Sequence, residues 1–158
     1  MLFGRKKKEE KPEQKKPELL RKENIRMNCT PMEKEDVIRA VGRMLCDSGY
    51  VEEGYIDGML KRELSFSTNM GNAIALPHGV EEAKRDIKAS GIAVMTFPEG
   101  VDWGSGNPVR LVIGIAGVGD EHLTILGNIA GRLCTPEDVE ALLAGSVDEV
   151  YRILTEEE

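Results

Sequence analysis

Two apolar runs set the strongest constraint on this chain. Ser90 to Phe97 (Ser-Gly-Ile-Ala-Val-Met-Thr-Phe) and Val109 to Ala116 (Val-Arg-Leu-Val-Ile-Gly-Ile-Ala) are nearly continuous in hydrophobic side chains. A strand with one face in water alternates apolar and polar residues; strands such as these need cover on both faces. Pro98-Glu99-Gly100 and Gly104-Ser105-Gly106-Asn107-Pro108 lie between them as turn material. A third short run, Ala73-Ile74-Ala75-Leu76, ends at Pro77-His78-Gly79, where the proline stops strand pairing. The longest apolar stretch, Val109 to Val118, is interrupted by Arg110 and glycines and is too short to cross a bilayer, so no direct membrane insertion is expected.

Amphipathic helices supply the cover. Thr30-Pro31-Met32-Glu33 reads as a capping box with proline at the first helical position, followed by Val37, Ile38, Val41 and Leu45 on one face and Gly49 at the end. A second helix is expected over about 52–64, with Tyr55, Ile56, Met59 and Leu60 inward. Asn69 to Gly71 reads as a turn and Glu81 to Asp86 as one helical turn. Asp120 is placed to cap a helix running to about Cys134, and Thr135-Pro136 and Ser146 each begin another, the last repeating the capping-box spacing with Glu149. The expected fold is therefore of the α/β class with α+β character: a single domain over 24–158, with a mixed central β-sheet flanked by helices.

Charge is unevenly spread. The net charge is −7, yet residues 1–24 hold nine Lys/Arg against five Glu, leaving −11 on the remainder. An acidic body argues against nucleic acid as partner, because that binding rests on phosphate neutralisation. Residues 1–22, rich in Lys, Glu and Pro, are expected to be a disordered basic tail. Weak attraction of Arg5 to Lys8 to anionic lipid is the less favoured alternative. Cys29, Cys46 and Cys134 are widely spaced without a CxxC, and only two histidines are present, so neither a metal nor any other cofactor is implied. A reducing cytoplasm is the natural setting. Cys46 and Cys134 read as core thiols.

The two histidines stand out by position. His78 follows a strand, between a proline that restricts the chain and a glycine that leaves a backbone N–H approachable. His122 lies just after a buried strand, in the first turn of a helix, where N–H groups and the helix dipole favour an anion. Position alone leaves open whether either does chemistry or is an ordinary surface histidine. No Gly-x-Ser-x-Gly and no Gly-x-x-x-x-Gly-Lys-Ser/Thr occurs, which leaves a serine hydrolase or a P-loop NTPase without its motif. A histidine nucleophile stays open, since a neutral imidazole can attack phosphorus near pH 7. His122, Arg62 and loop N–H groups are candidates to hold the transferred group. Trp103, the sole tryptophan, is either a partner-contact anchor or a cap on the edge of the core.

Gly71-Asn72-Ala73-Ile74-Ala75-Leu76-Pro77-His78-Gly79 resembles the phosphorylation motif of the type 2 EIIA components (mannitol/fructose type) of the bacterial sugar phosphotransferase system, the PTS. Gly114-Ile115-Ala116 followed by Asp120-Glu121-His122-Leu123 is similar to the second signature of that family. The stretches Tyr55 to Glu63 and Phe97 to Gly104 are most similar to its mannitol-specific branch, and the likeness covers about residues 24–154. The resemblance implies that His78 is phosphorylated by the phosphocarrier protein HPr and passes phosphate to a cysteine on the EIIB domain of a mannitol or related hexitol permease. It implies that His122 contacts the phosphoryl group, that Arg62 helps to hold it, and that Thr68 lies near it. The EIIB and membrane domains are then expected on separate polypeptides. The shared Asp-Glu-His-Leu motif also permits a nitrogen-type regulatory EIIA, though the Pro-Glu-Gly-Val-Asp-Trp-Gly turn is mannitol-like. Ala73 stands where glycine is common, and Val80 where threonine is common.

Overall fold

The computed structural model describes residues 18–156. Five strands form one mixed sheet in the order β1-β4-β5-β3-β2. They are β1 (Ile25–Arg26), β2 (Asn69–Gly71), β3 (Ile74–Ala75), β4 (Gly91–Val101) and β5 (Val109–Ala116). β4 and β5 pair antiparallel at the centre, β1 runs parallel to β4, β3 runs parallel to β5, and β2 closes a hairpin on β3.

The continuous apolar runs are explained by cover on both faces. Ala93, Met95, Phe97 and Val112 pack with Val37, Ile38, Val41 and Leu45 of α1 (Lys34–Asp47) and Tyr55 and Met59 of α2 (Gly54–Ser65). On the other face Ile92, Val94, Leu111, Ile113 and Ile115 meet α3 (Glu121–Arg132), α4 (Pro136–Leu143) and α5 (Val147–Thr155) through Ile125, Ile129, Val139, Leu142, Val150 and Leu154. Truncating a fully buried residue such as Leu111 or Ile113 to alanine costs about 2–5 kcal/mol, the transfer loss plus the cavity left behind.

Both late helices begin as their sequences predict. Thr135 accepts from the Asp138 N–H and Ser146 from the Glu149 N–H, and each acidic partner reaches back to the cap. α1 ends as expected at Gly49, whose N–H bonds the Cys46 carbonyl while the Tyr50 N–H bonds that of Leu45.

Four expectations need correction. α1 begins at Lys34 with Glu33 as its cap, not at Thr30-Pro31, because the Asn28 and Cys29 N–H groups pair with the Thr96 hydroxyl and carbonyl and hold this stretch against β4. Asn69 to Gly71 is a strand, and the turn falls at Asn72 and Ala73, both with positive φ as a two-residue type I′ turn demands. Order starts before residue 24: Leu20 is 1% exposed in the core and the Leu19 carbonyl bonds the Ile92 N–H. The rest of the expected tail, 1–17, lies outside the described residues. Cys134 is exposed, not a core thiol, with its Sγ against the Ala130 and Gly131 carbonyls at the end of α3. Among the described residues no helix is long and apolar enough to cross a membrane.

Candidate functional site

Parallel pairing carries the two histidines to the same end of the sheet. Past β3 the chain keeps to β5: the Ile115 N–H donates to the Pro77 carbonyl at 2.9 Å, and His78 bridges to Ile115. His78 thus stands at the carboxyl end of one strand, beside the carboxyl end of the next. His122 follows from β5 as the second residue of α3. Gly117 makes this tight return feasible, since a Cβ there would sit 2.3 Å from the His122 backbone nitrogen. Arg62 comes from the last turn of α2. These three side chains line one cleft of about 310 Å³, together with Tyr55, Gly79 and Lys84.

Hydrogen bonds define which imidazole nitrogen can react. His78 Nδ1 lies 2.8 Å from the Leu76 carbonyl oxygen, which can only accept, so Nδ1 carries the proton. Arg62 Nε lies 3.3 Å from His78 Nε2, and a guanidinium can only donate, so Nε2 presents its lone pair. Burial, with the nearby charges of Arg62 and His122, lowers the His78 pKa from its usual value, against a partial opposing pull from the Leu76 carbonyl and Glu63. The lowered pKa and both contacts favour the neutral imidazole, with the Nε2 lone pair facing Arg62. His122 is oriented by its Nδ1, 3.2 Å from the Gly119 carbonyl. Lys84 Nζ donates to the same carbonyl at 2.9 Å, which brings a further basic side chain to the cleft.

Gly79 plays a different part from the one its sequence suggests. Its N–H is not free but donates to the Tyr55 hydroxyl at 2.9 Å, and that hydroxyl donates in turn to the Ile115 carbonyl at 2.7 Å. A Cβ on Gly79 would approach Tyr55 Cε1 to 2.6 Å, so glycine is required for close approach. Burial pushes the Tyr55 hydroxyl up to about 12, which keeps it a neutral brace between the two strand ends.

Behind Arg62 sits a buried carboxylate. Glu63 accepts the Thr68 hydroxyl at 2.5 Å, the Thr68 N–H at 3.1 and 3.2 Å, the Trp103 Nε1–H at 3.0 Å, and pairs with Lys34 at 3.1 Å. Burial alone would raise its pKa; the donors from Thr68 and Lys34 outweigh burial and hold it below the usual carboxylate value. Two sequence expectations are corrected here. Trp103 is 2% exposed with its N–H satisfied inside, so it caps the core and is no partner anchor. Thr68 does not line the cleft, because its hydroxyl is committed to Glu63. Val80, flagged as a departure from the common threonine, does line it.

Sequence reasoning brought forward His78, His122 and Arg62, and the structure gathers all three. It missed Glu63, Tyr55 and Lys84. Nothing in the sequence sets Glu63 or Lys84 apart from other charges on helical segments, and the Tyr55 hydroxyl has no sequence signal. Among the described residues no group of three or more His, Cys, Asp or Glu is placed to hold a metal ion.

Known proteins share this fold. The family model described as phosphoenolpyruvate-dependent sugar phosphotransferase system, EIIA 2, matches residues 18–157. The chain is 48% identical over 132 residues to the mannitol-specific phosphotransferase enzyme IIA component of Bacillus subtilis, covering 84% of this chain and 92% of that protein. Its fold matches enzyme IIAMTL in the Escherichia coli complex with phosphorylated enzyme IIBMTL, with a TM-score of 0.81, 37% identity, and 85% and 96% of the two chains covered. The nitrogen regulatory protein IIA-Ntr of Neisseria meningitidis matches with a TM-score of 0.75 at 26% identity, over 87% of this chain and 97% of that one.

Proposed function

The chain belongs to the EIIA 2 family of the phosphoenolpyruvate-dependent sugar phosphotransferase system, and on that premise we propose that it is a cytoplasmic, mannitol-type phosphoryl carrier whose acceptor is His78 Nε2. The observation that carries the assignment is the pair of contacts on the His78 ring, which leave a neutral imidazole with its Nε2 lone pair beside Arg62.

The transfer is a substitution at phosphorus. The Nε2 lone pair forms a new N–P bond as the P–N bond of phosphorylated HPr breaks and the HPr imidazole regains its electron pair. The Nδ1–H stays on the Leu76 carbonyl and stabilises the positive charge that grows on the ring. Arg62 leaves the lone pair and turns its donors to the phosphoryl oxygens, with Lys84 and His122 beside it in the cleft. In the second step a cysteine thiolate of EIIB attacks phosphorus, the N–P bond breaks, and Nε2 recovers its lone pair. No proton is gained or lost on His78 over the cycle.

Both donor and acceptor are proteins, and the rim suits that. Leu64 and Phe66 flank the Arg62 end of α2, and Val118 and Leu123 flank His122, all four exposed. Large apolar side chains grouped about a polar cleft mark a protein-contact surface. Three free thiols accord with a reducing compartment.

The test is reconstitution of HPr, its kinase and phosphoenolpyruvate with this chain and the EIIB domain of a mannitol permease. Label is expected to pass through this chain to the EIIB cysteine. Normal labelling of this chain with no transfer to mannitol EIIB would point instead to a regulatory, nitrogen-type role.

A further inference from the structure

We propose that Glu63 is a positioning residue for the phosphoryl acceptor: its buried carboxylate fixes the Thr68 backbone, which fixes Leu76, whose carbonyl holds His78 in the Nδ1–H form. The inference rests on His78 being the acceptor.

Three hydrogen-bonded links connect the carboxylate to the ring. Glu63, with only 5% of its side chain exposed, holds both the hydroxyl and the N–H of Thr68. The Thr68 carbonyl accepts the Leu76 N–H at 3.0 Å. The Leu76 carbonyl accepts His78 Nδ1–H at 2.8 Å. Leu76 is also constrained from the other side, because it precedes Pro77 and is confined to extended backbone. The carbonyl that selects the tautomer is thus held at both flanks, once by proline and once by the path from Glu63.

The residue type fits the task. Donors from Thr68, Trp103 and Lys34 converge on one side chain, and an ionised carboxylate offers about four acceptor sites and no donor. Glutamine would turn an NH2 group toward one of these donors. The same side chain ties α2, which carries Arg62, to the loop between β4 and β5 through Trp103 and to the start of α1 through Lys34. Glu63 therefore sets the frame on which acceptor and guanidinium meet, without itself touching phosphate.

The experiment compares the wild-type chain with Thr68→Val, Thr68→Ser and Glu63→Gln. Nitrogen-15 chemical shifts of the His78 ring give the tautomer, and quench-flow labelling by phosphorylated HPr gives the rate. The wild-type ring is expected to be in the Nδ1–H form. Thr68→Val keeps the side-chain volume but loses the hydroxyl; it is expected to populate the Nε2–H form and to slow labelling about tenfold at saturating donor, with half-saturation unchanged. Glu63→Gln is expected to do the same, and Thr68→Ser to restore both readouts. If Glu63→Gln fails to fold, Thr68→Val decides. Wild-type tautomer and labelling within twofold of wild type in a folded variant would overturn the inference, leaving Glu63 a purely structural residue. An Nε2–H ring in the wild-type chain would overturn it outright. The tautomer readout needs no phosphate, so absence of labelling in the wild-type chain would count against the carrier function and not against this positioning.

Discussion

Arg62 Nε sits 3.3 Å from His78 Nε2, so the guanidinium occupies the lone pair that attacks phosphorus in the proposed transfer. It also lies over the ring of Phe66, 5.4 Å from the ring centre, on a side chain that is 69% exposed. In the proposed transfer Arg62 thus guards the nucleophile at rest and stands beside the place of the incoming phosphoryl group.

Replacing Arg62 with glutamine separates these roles. Loss of the cation is expected to slow labelling by phosphorylated HPr about 100-fold, the order seen when one preorganised donor to a developing anion is removed. The His78 pKa is expected to rise, because the Arg62 charge helps to lower it. Rapid-quench labelling and an NMR titration of the ring check the two effects independently.

The lowered His78 pKa has a consequence for pH. The neutral ring persists below the ordinary histidine value near 6.5, so labelling is expected to stay level as pH falls through about 6.5 and to drop only at lower pH. Stability follows the same shift. Between the lowered folded pKa and the ordinary unfolded one, the unfolded chain binds more protons, so stability rises with pH across that window. Above it the term vanishes, and below it the destabilisation is at its full value. Denaturant titrations at several pH values should show this slope in the wild-type chain and lose it in His78→Ala.

Ala73 is held at φ +66° in the turn between β2 and β3, a conformation that glycine adopts without steric cost. Ala73→Gly is expected to stabilise the fold by about 0.5–1 kcal/mol, the relief of the left-handed strain less the added chain entropy of glycine. Urea unfolding measures the difference.

Much of the architecture was legible from pattern. Strands buried on both faces declare themselves as unbroken apolar runs, and the helix starts at Thr135 and Ser146 were readable because each carries its reciprocal acidic partner three residues on. The same spacing at Thr30 misleads, since pairing of Asn28 and Cys29 with Thr96 outweighs a local cap. β1 and β2 are two and three residues long, too short for any periodicity to register. At the site, His78, His122 and Arg62 were legible through motif resemblance. The supporting residues were not: whether a glutamate on a helix is solvated or buried under Trp103 depends on contacts some 40 residues apart in the chain.

The central claim is that His78 Nε2 carries the phosphoryl group. Phosphorus-31 and nitrogen-15 NMR of the ring-labelled chain, incubated with HPr, its kinase and phosphoenolpyruvate, tests it most directly. A phosphoramidate signal coupled to Nε2 of His78, absent in His78→Ala, is the expected result. Phosphate that persists in His78→Ala, or that resides on Nδ1, would contradict it.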